Sequence, residues 1–203
     1  MTAHPAALHQ HTLPVARTIL SLCDYTGQWS APYRERGYDV VQMDLKRGHD
    51  VRLLPYRRGG VHGILMAPPC TTFAGSGARW WEEKGEDDLL AGLALVDACL
   101  RAVAVYEPKW WALENPVGRL SRYLGPAAWS FDPHEFAGWS DDPDAEAYTK
   151  RTLLWGRFNE PEKRPEPPVL GSRMHLLPPS PDRAALRSVT PQGFARAFCE
   201  ANP

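Results

Sequence analysis

The sequence predicts an α/β fold, a central and mostly parallel sheet with helices on both faces. Three observations point there. Two apolar runs, Thr18-Ile19-Leu20-Ser21-Leu22 and Tyr38-Asp39-Val40-Val41-Gln42-Met43, flank a turn and a short helical segment. A third run, Gly63 to Met66, leads into Pro68-Pro69-Cys70. A long amphipathic segment, Leu89 to about Tyr106, separates it from a fourth run, Trp110-Trp111-Ala112-Leu113. Short apolar runs bounded by turn signals read as buried strands. Such runs separated by helical segments need crossovers, which favours parallel pairing.

In chain order, Thr18–Leu22 is the first strand, and residues 23–30 form a turn. Ser30 is placed to N-cap a short helix with Pro32 in its first turn, and Gly37 ends it. The second strand closes at Asp44. Strand, turn, helix, strand and acid is the layout of a nucleotide-type cofactor site. The turn points backbone amides at a ligand, and the acid can accept from two ribose hydroxyls. Gly48 to Arg52 forms a further turn, where Asp50 is placed to meet an exocyclic amine.

The third strand stops at two prolines, which stiffen the chain into the next loop. Cys70 then begins that loop of small and hydroxyl residues, Thr71 to Gly77. It sits beyond the carboxyl end of a strand, where open α/β sheets build their sites. A thiol held there is well placed as a nucleophile, although a buried structural role is the commoner fate of a lone Cys. Asp87 or Asp88 would cap the long helix. The strand Trp110–Leu113 ends in Glu114-Asn115-Pro116, a carboxylate at the same sheet edge as Cys70. His134 to Trp139 reads as a strand and Ser140 to Glu146 as an acidic loop. Tyr148 to Thr152 lead into a strand at Leu153–Gly156. Residues 159–181 are crowded with Pro and charge and read as loop or arm. Thr190 and Pro191 would be the N-cap and first residue of a terminal helix.

The 203 residues suffice for one domain. We expect a flexible leader over 1–16 and a single catalytic domain over 17–203. A net charge of -1 gives no global basic field, so nucleic-acid binding would rest on local patches. The four cysteines lack a CxxC pair, which argues against zinc and against a disulfide framework. Free thiols suit a reducing cytoplasm. Neither a signal peptide nor an apolar run long enough to span a membrane is read here.

Taken together, the cofactor turn, the acid after the second strand, Pro-Pro-Cys with Phe73 and Ser76-Gly77, Glu114-Asn115, the basic lead at Lys150-Arg151 and Thr190-Pro191 resemble DNA cytosine-C5 methyltransferases. The resemblance is to the compact versions encoded by bacteriophages, and it runs from about Thr18 to Asn202. It implies a Rossmann-like methyltransferase fold, S-adenosylmethionine as cofactor, DNA (double- or single-stranded) as partner, no metal, no membrane, and the cytoplasm of a host cell. Cys70 would add to cytosine C6, Glu114 would hold the ring at N3 and the exocyclic amine, and Arg151 would contact the base or its phosphate. Cys23, Asp24, Thr26 and Gly27 would line the methionine end of the cofactor. Asp44 and Leu45 would take the ribose and adenine, Asp50 and Val51 the adenine edge, Pro69 the sulfonium, and Asn202 would close the pocket.

The chain departs from the family pattern in four places. Tyr25 stands where the family has the first glycine of its cofactor turn. Leu153 stands where a second arginine is usual, and Pro116 where Val usually follows the Glu motif. Only residues 159–181 stand where the family inserts a target-recognition domain. Two alternatives therefore stay open: a related pyrimidine C5-modifying enzyme with another one-carbon donor or a free nucleotide as acceptor, and a non-catalytic nucleic-acid-binding relative. Cys70 and Glu114 together argue against the last. DNA contact would then rest on Arg151, Arg157, Lys163, Arg164 and Arg57-Arg58, giving recognition of very few bases and a preference for open DNA.

Overall fold

The computed structural model describes residues 17–56, 60–173, 177, 180 and 183–203. The expected leader and Arg57-Arg58 lie outside them. Six strands form one sheet in the order β2-β1-β3-β4-β6-β5. They are β1 (Thr18–Leu22), β2 (Asp39–Met43), β3 (Val61–Met66), β4 (Trp110–Pro116), β5 (Trp129–Phe131) and β6 (Thr152–Arg157). β2, β1, β3 and β4 are parallel. β6 runs antiparallel between β4 and β5, so the sheet is mixed. The chain places β2 on one side of β1 and β3 on the other. The strand order therefore reverses between β1 and β3, and a crevice opens at their carboxyl ends.

Alternating side chains build a core on each face. Ile19, Leu65, Ala112 and Leu154 face a cluster with Trp29, Tyr33, Phe194 and Phe198. These come from α1 (Ala31–Glu35), the turn before it, and the C-terminal helix Gln192–Ala201. Leu20, Leu22, Ile64, Met66 and Leu113 face Val96, Cys99 and Ala102 of α2 (Trp81–Tyr106). α2 carries a stretch apolar enough by length and composition to cross a membrane, with mean hydropathy 1.9, contrary to the sequence reading. Here that stretch supplies the buried Val96, Ala98, Cys99 and Ala102 of the second core.

The close fit of β3 to β4 rests on Gly63. A Cβ there would lie 2.1 Å from the Trp110 ring. Gly63→Ala should cost about 1–3 kcal/mol through overpacking, read as a lowered melting temperature. An unchanged melt would mean that the Trp110 ring can move aside.

Several boundaries differ from the sequence reading. α2 begins at Trp81, with a break at Gly85, and is not capped by Asp87 or Asp88. Asp88 instead accepts a hydrogen bond from the Thr72 hydroxyl at 3.0 Å. His134 to Trp139 is not a strand but two 3-10 turns, Pro133–Glu135 and Ala137–Trp139, because Asp132 and Glu135 form a local capping box with Pro133 at its first position. The acidic loop contains α4 (Pro143–Glu146), which follows the short α3 (Ser121–Leu124). A further helix, α5 (Arg183–Ser188), precedes α6 (Gln192–Ala201). Pro191, not Thr190, is the N-cap of α6. The Glu146 carboxylate caps it from outside, accepting from the amides of Gln192 and Gly193.

Over its described residues 159–173, the Pro-rich segment is a strap laid on the domain. Its backbone meets residues 134–149: Gly138 donates to the Arg164 carbonyl, Glu166 to that of His134, and Leu170 to that of Ala147.

Candidate active site

The crevice at the switch point holds two cavities that meet at Cys70. The first, about 240 Å³, runs from the turn after β1 and the end of β2 to the Pro-Pro-Cys loop. Its walls include Cys23, Asp24, Thr26, Asp44, Pro69 and Glu114. The second, about 490 Å³, opens on the other side of Cys70 toward Ser76, Val117, Asp132 and Arg151. Cys70, Pro116, Lys150 and Arg187 line both.

The Cys70 loop is held from below. The buried Asn115 donates its side-chain amide to the Pro68 carbonyl at 2.9 Å. Ala74 bridges Gly118, Gly75 donates to the Val117 carbonyl and Arg119 to that of Phe73. The Arg119 side chain, itself buried, donates Nε–H to the Thr72 carbonyl at 2.8 Å. The loops after β3 and β4 are thus tied together, which fixes Cys70 relative to Glu114.

The turn after β1 is organised by Asp24. Its carboxylate accepts from the hydroxyls of Ser21, Thr26 and Ser30 and from the Gly27 amide at 2.9 Å. Gly27 takes φ +69, which a side chain would strain. Tyr25 lies in the cavity wall, with the Lys46 ammonium 5.2 Å from its ring centre. It therefore reshapes this wall rather than turning away. Asp44 spends one oxygen on the Lys46 amide at 2.8 Å.

Not every expected residue reaches the cavity. Leu45 is largely exposed and Val51 is buried in the core under α2. Asp50 is paired with Arg52, whose guanidinium holds its carboxyl below the usual range. Gly27 shapes the turn without lining the cavity. Asn202 is a correction: it sits at the amino edge of the sheet, where its amide side chain is bound to Asn159 and Phe198. The carboxyl edge and its cavities lie at the opposite end of the strands, so Asn202 closes neither.

The cations are also redistributed. Arg151 lines the second cavity but is about half exposed, with Nε 3.3 Å from Asp132. Arg157 donates to the Pro108 carbonyl at the amino edge. Lys163 pairs with Glu135, and Arg164 stacks on Trp139. None of these last three lines either cavity. The positive charge beside Cys70 comes from Lys150, which the sequence reading gave only as part of the basic lead, and from Arg187, which it did not name. The Lys150 amide is held by Asp132 at 2.8 Å, and its Nζ donates to the Arg187 carbonyl at 2.9 Å. The pair Lys150-Arg151 was visible in the sequence. Which of the two turns inward is decided by the Asp132 contact, which no local pattern reports.

Burial pushes the Cys70 thiol up, and Glu114 adds to this, while Lys150 and Arg187 pull it back. Burial also raises the Glu114 carboxyl, against the pull of Lys150. Alkylation of Cys70 should therefore increase toward alkaline pH, as the thiolate forms. In Lys150→Met the profile should move to higher pH, whereas Lys150→Arg should restore it. Mapped iodoacetamide labelling checks this, and an unmoved profile in Lys150→Met would place the ammonium too far away to matter.

Neither a family model nor a curated protein matches the chain. Among solved structures it is similar to a prophage-encoded E. coli protein described as a candidate DNA modification methyltransferase, at 13% identity and a TM-score of 0.48. The match covers 70% of this chain and 46% of that one, so this chain spans less than half of that protein's length. A likeness this distant carries neither fold nor function.

Proposed function

We propose that the chain is a DNA (cytosine-5)-methyltransferase that transfers a methyl group from S-adenosylmethionine through a covalent Cys70 adduct. The observation that carries this is the meeting of two cavities at one thiol, with Glu114 beside it, at the carboxyl edge of β3 and β4. Two substrates that react with each other need such an arrangement, one on each side of the group that joins them.

The first cavity fits the cofactor. Ala67, Pro68 and Pro69 give it an apolar wall, and Asp44 keeps a second oxygen for ribose hydroxyls, with no protein partner among the described residues. Asp44→Ala should weaken S-adenosylhomocysteine binding by about 1–3 kcal/mol, the scale of a lost hydrogen bond to a charged group. Calorimetry checks this, and unchanged affinity would remove Asp44 from the cofactor site.

The base, extruded from its stack, would enter over Cys70 where the two cavities meet, so that its N3 edge reaches Glu114 in the wall of the first. The Cys70 thiolate places its electron pair on C6, and the C5–C6 π pair moves toward C4 and N3. Glu114, whose carboxyl burial raises, would in its protonated form donate to N3 and accept from the exocyclic amine, stabilising that charge. Bound S-adenosylmethionine would supply the electrophilic methyl that C5 attacks. A base then takes the C5 proton, and the released pair reforms the double bond and expels the Cys70 thiolate. Arg151 and Arg187 line the second cavity and would meet the flanking phosphates. Nucleoside mass spectrometry of DNA from cells expressing the chain tests the reading. 5-Methylcytosine is the expected product. A different added group would favour another one-carbon donor, and unmodified DNA would sink the proposal.

A further inference from the structure

We infer that Cys23 and Cys99 form an oxidation-sensitive dithiol, a modification site in the wall of the first cavity. The two sulfurs lie 4.0 Å apart across 76 residues of sequence. No other pair of the four cysteine sulfurs lies within hydrogen-bond reach. Cys23 is half-buried and borders the cavity, while Cys99 is buried in α2 against the sheet.

The position of Cys23 is imposed by the backbone. It takes φ 57, in the left-handed region that residues with side chains seldom adopt. Its amide is pinned to the Met43 carbonyl at 2.7 Å. A left-handed residue at the end of β1 is a cost that a glycine would avoid, yet a thiol stands there and meets a second thiol. A disulfide bond is about 2.05 Å long, so closure needs a sulfur movement of about 2 Å, within the range of side-chain rotation and a small shift of α2.

The chemistry balances with a peroxide as oxidant. Cys23, reached through the cavity, attacks one peroxide oxygen as its thiolate. The O–O bond breaks, hydroxide leaves, and Cys23 becomes a sulfenic acid. The Cys99 sulfur then attacks the Cys23 sulfur, the S–O bond breaks, and the oxygen leaves as water. In total two thiols are oxidised to one disulfide and the peroxide is reduced to two waters. Cys23 borders the cavity while Cys99 is buried against the sheet, so Cys23 is the first to meet the peroxide. The product ties α2 to the carboxyl end of β1 and draws the Cys23 sulfur out of the cavity wall, beside the turn that Asp24 organises.

The bond itself is independent of the methyl-transfer reading, whereas its effect on an adenosyl ligand rests on that reading. The test treats the full chain with hydrogen peroxide and maps its peptides. A Cys23–Cys99 link that dithiothreitol reverses is expected. The oxidised protein should bind S-adenosylhomocysteine about tenfold more weakly or worse, and Cys99→Ala should keep its affinity after the same treatment. A Cys23–Cys70 link, or sulfinic acid at Cys23 with Cys99 untouched, overturns the pair. A link with unchanged affinity overturns its action on the cavity. A link in a protein whose reduced form never binds the ligand sinks the methyl-donor reading and leaves the dithiol standing. The peptide map uses the wild-type chain, so a folding defect in Cys99→Ala would not spoil it.

Discussion

Cys70→Ser should lose turnover by about three orders of magnitude or more, with its melting temperature nearly unchanged. The substitution is small, and the loop it sits on is held by Asn115, Gly118 and Arg119 rather than by the thiol. A serine hydroxyl is rarely ionised near neutral pH, whereas a thiol can become a thiolate within reach of it. DNA containing 5-fluorocytosine should trap the wild-type protein covalently, because fluorine cannot leave C5 as a proton does. The adduct should map to Cys70. An adduct on Cys23, which borders the first cavity, would move the nucleophile to the other side of the crevice.

Glu114→Gln should lower turnover by roughly 10²–10³-fold, the scale of removing one stabilising group from developing charge. Gln can still offer a donor and an acceptor, but it cannot hold or share a proton at N3. Stability should move the other way. Burial raises the Glu114 carboxyl in the folded state above its ordinary value of 4.5. A raised carboxyl binds more protons folded than unfolded, so its stability cost is absent below the ordinary carboxyl range. It grows as pH rises and is fully present above the raised value. Glu114→Gln should therefore be more stable than wild type at neutral pH, with the difference vanishing near pH 4. Chemical denaturation at the two pH values checks this. A variant that loses both activity and neutral-pH stability would make Glu114 part of the scaffold.

Much of the fold was legible because its signals are local. β1, β2, β3 and the start of β4 are short apolar runs closed by turn residues, and the prolines before Cys70 stop β3 where expected. That Cys70 and Glu114 would share a sheet edge followed from each standing at a strand's carboxyl end. The Asp44 position followed from the same rule.

The rest depended on partners distant in sequence. Nothing in residues 152–157 states that β6 inserts antiparallel between β4 and β5. That choice is made by the covering of both sheet faces, and with it Arg157 goes to the amino edge while the lead at Lys150 stays at the site. The inward turn of Lys150 is set by Asp132, and the start of α6 is capped by Glu146 from 46 residues away. Asn202 was placed at the cofactor by family pattern, but α6 delivers it to the far end of the strands. The sequence by itself determined that a thiol and a carboxylate, Cys70 and Glu114, stand at one sheet edge, because each follows an apolar strand run. Only the tertiary structure decided which cations surround them and which thiol meets Cys23, because those choices are made by packing between elements that local periodicity does not describe.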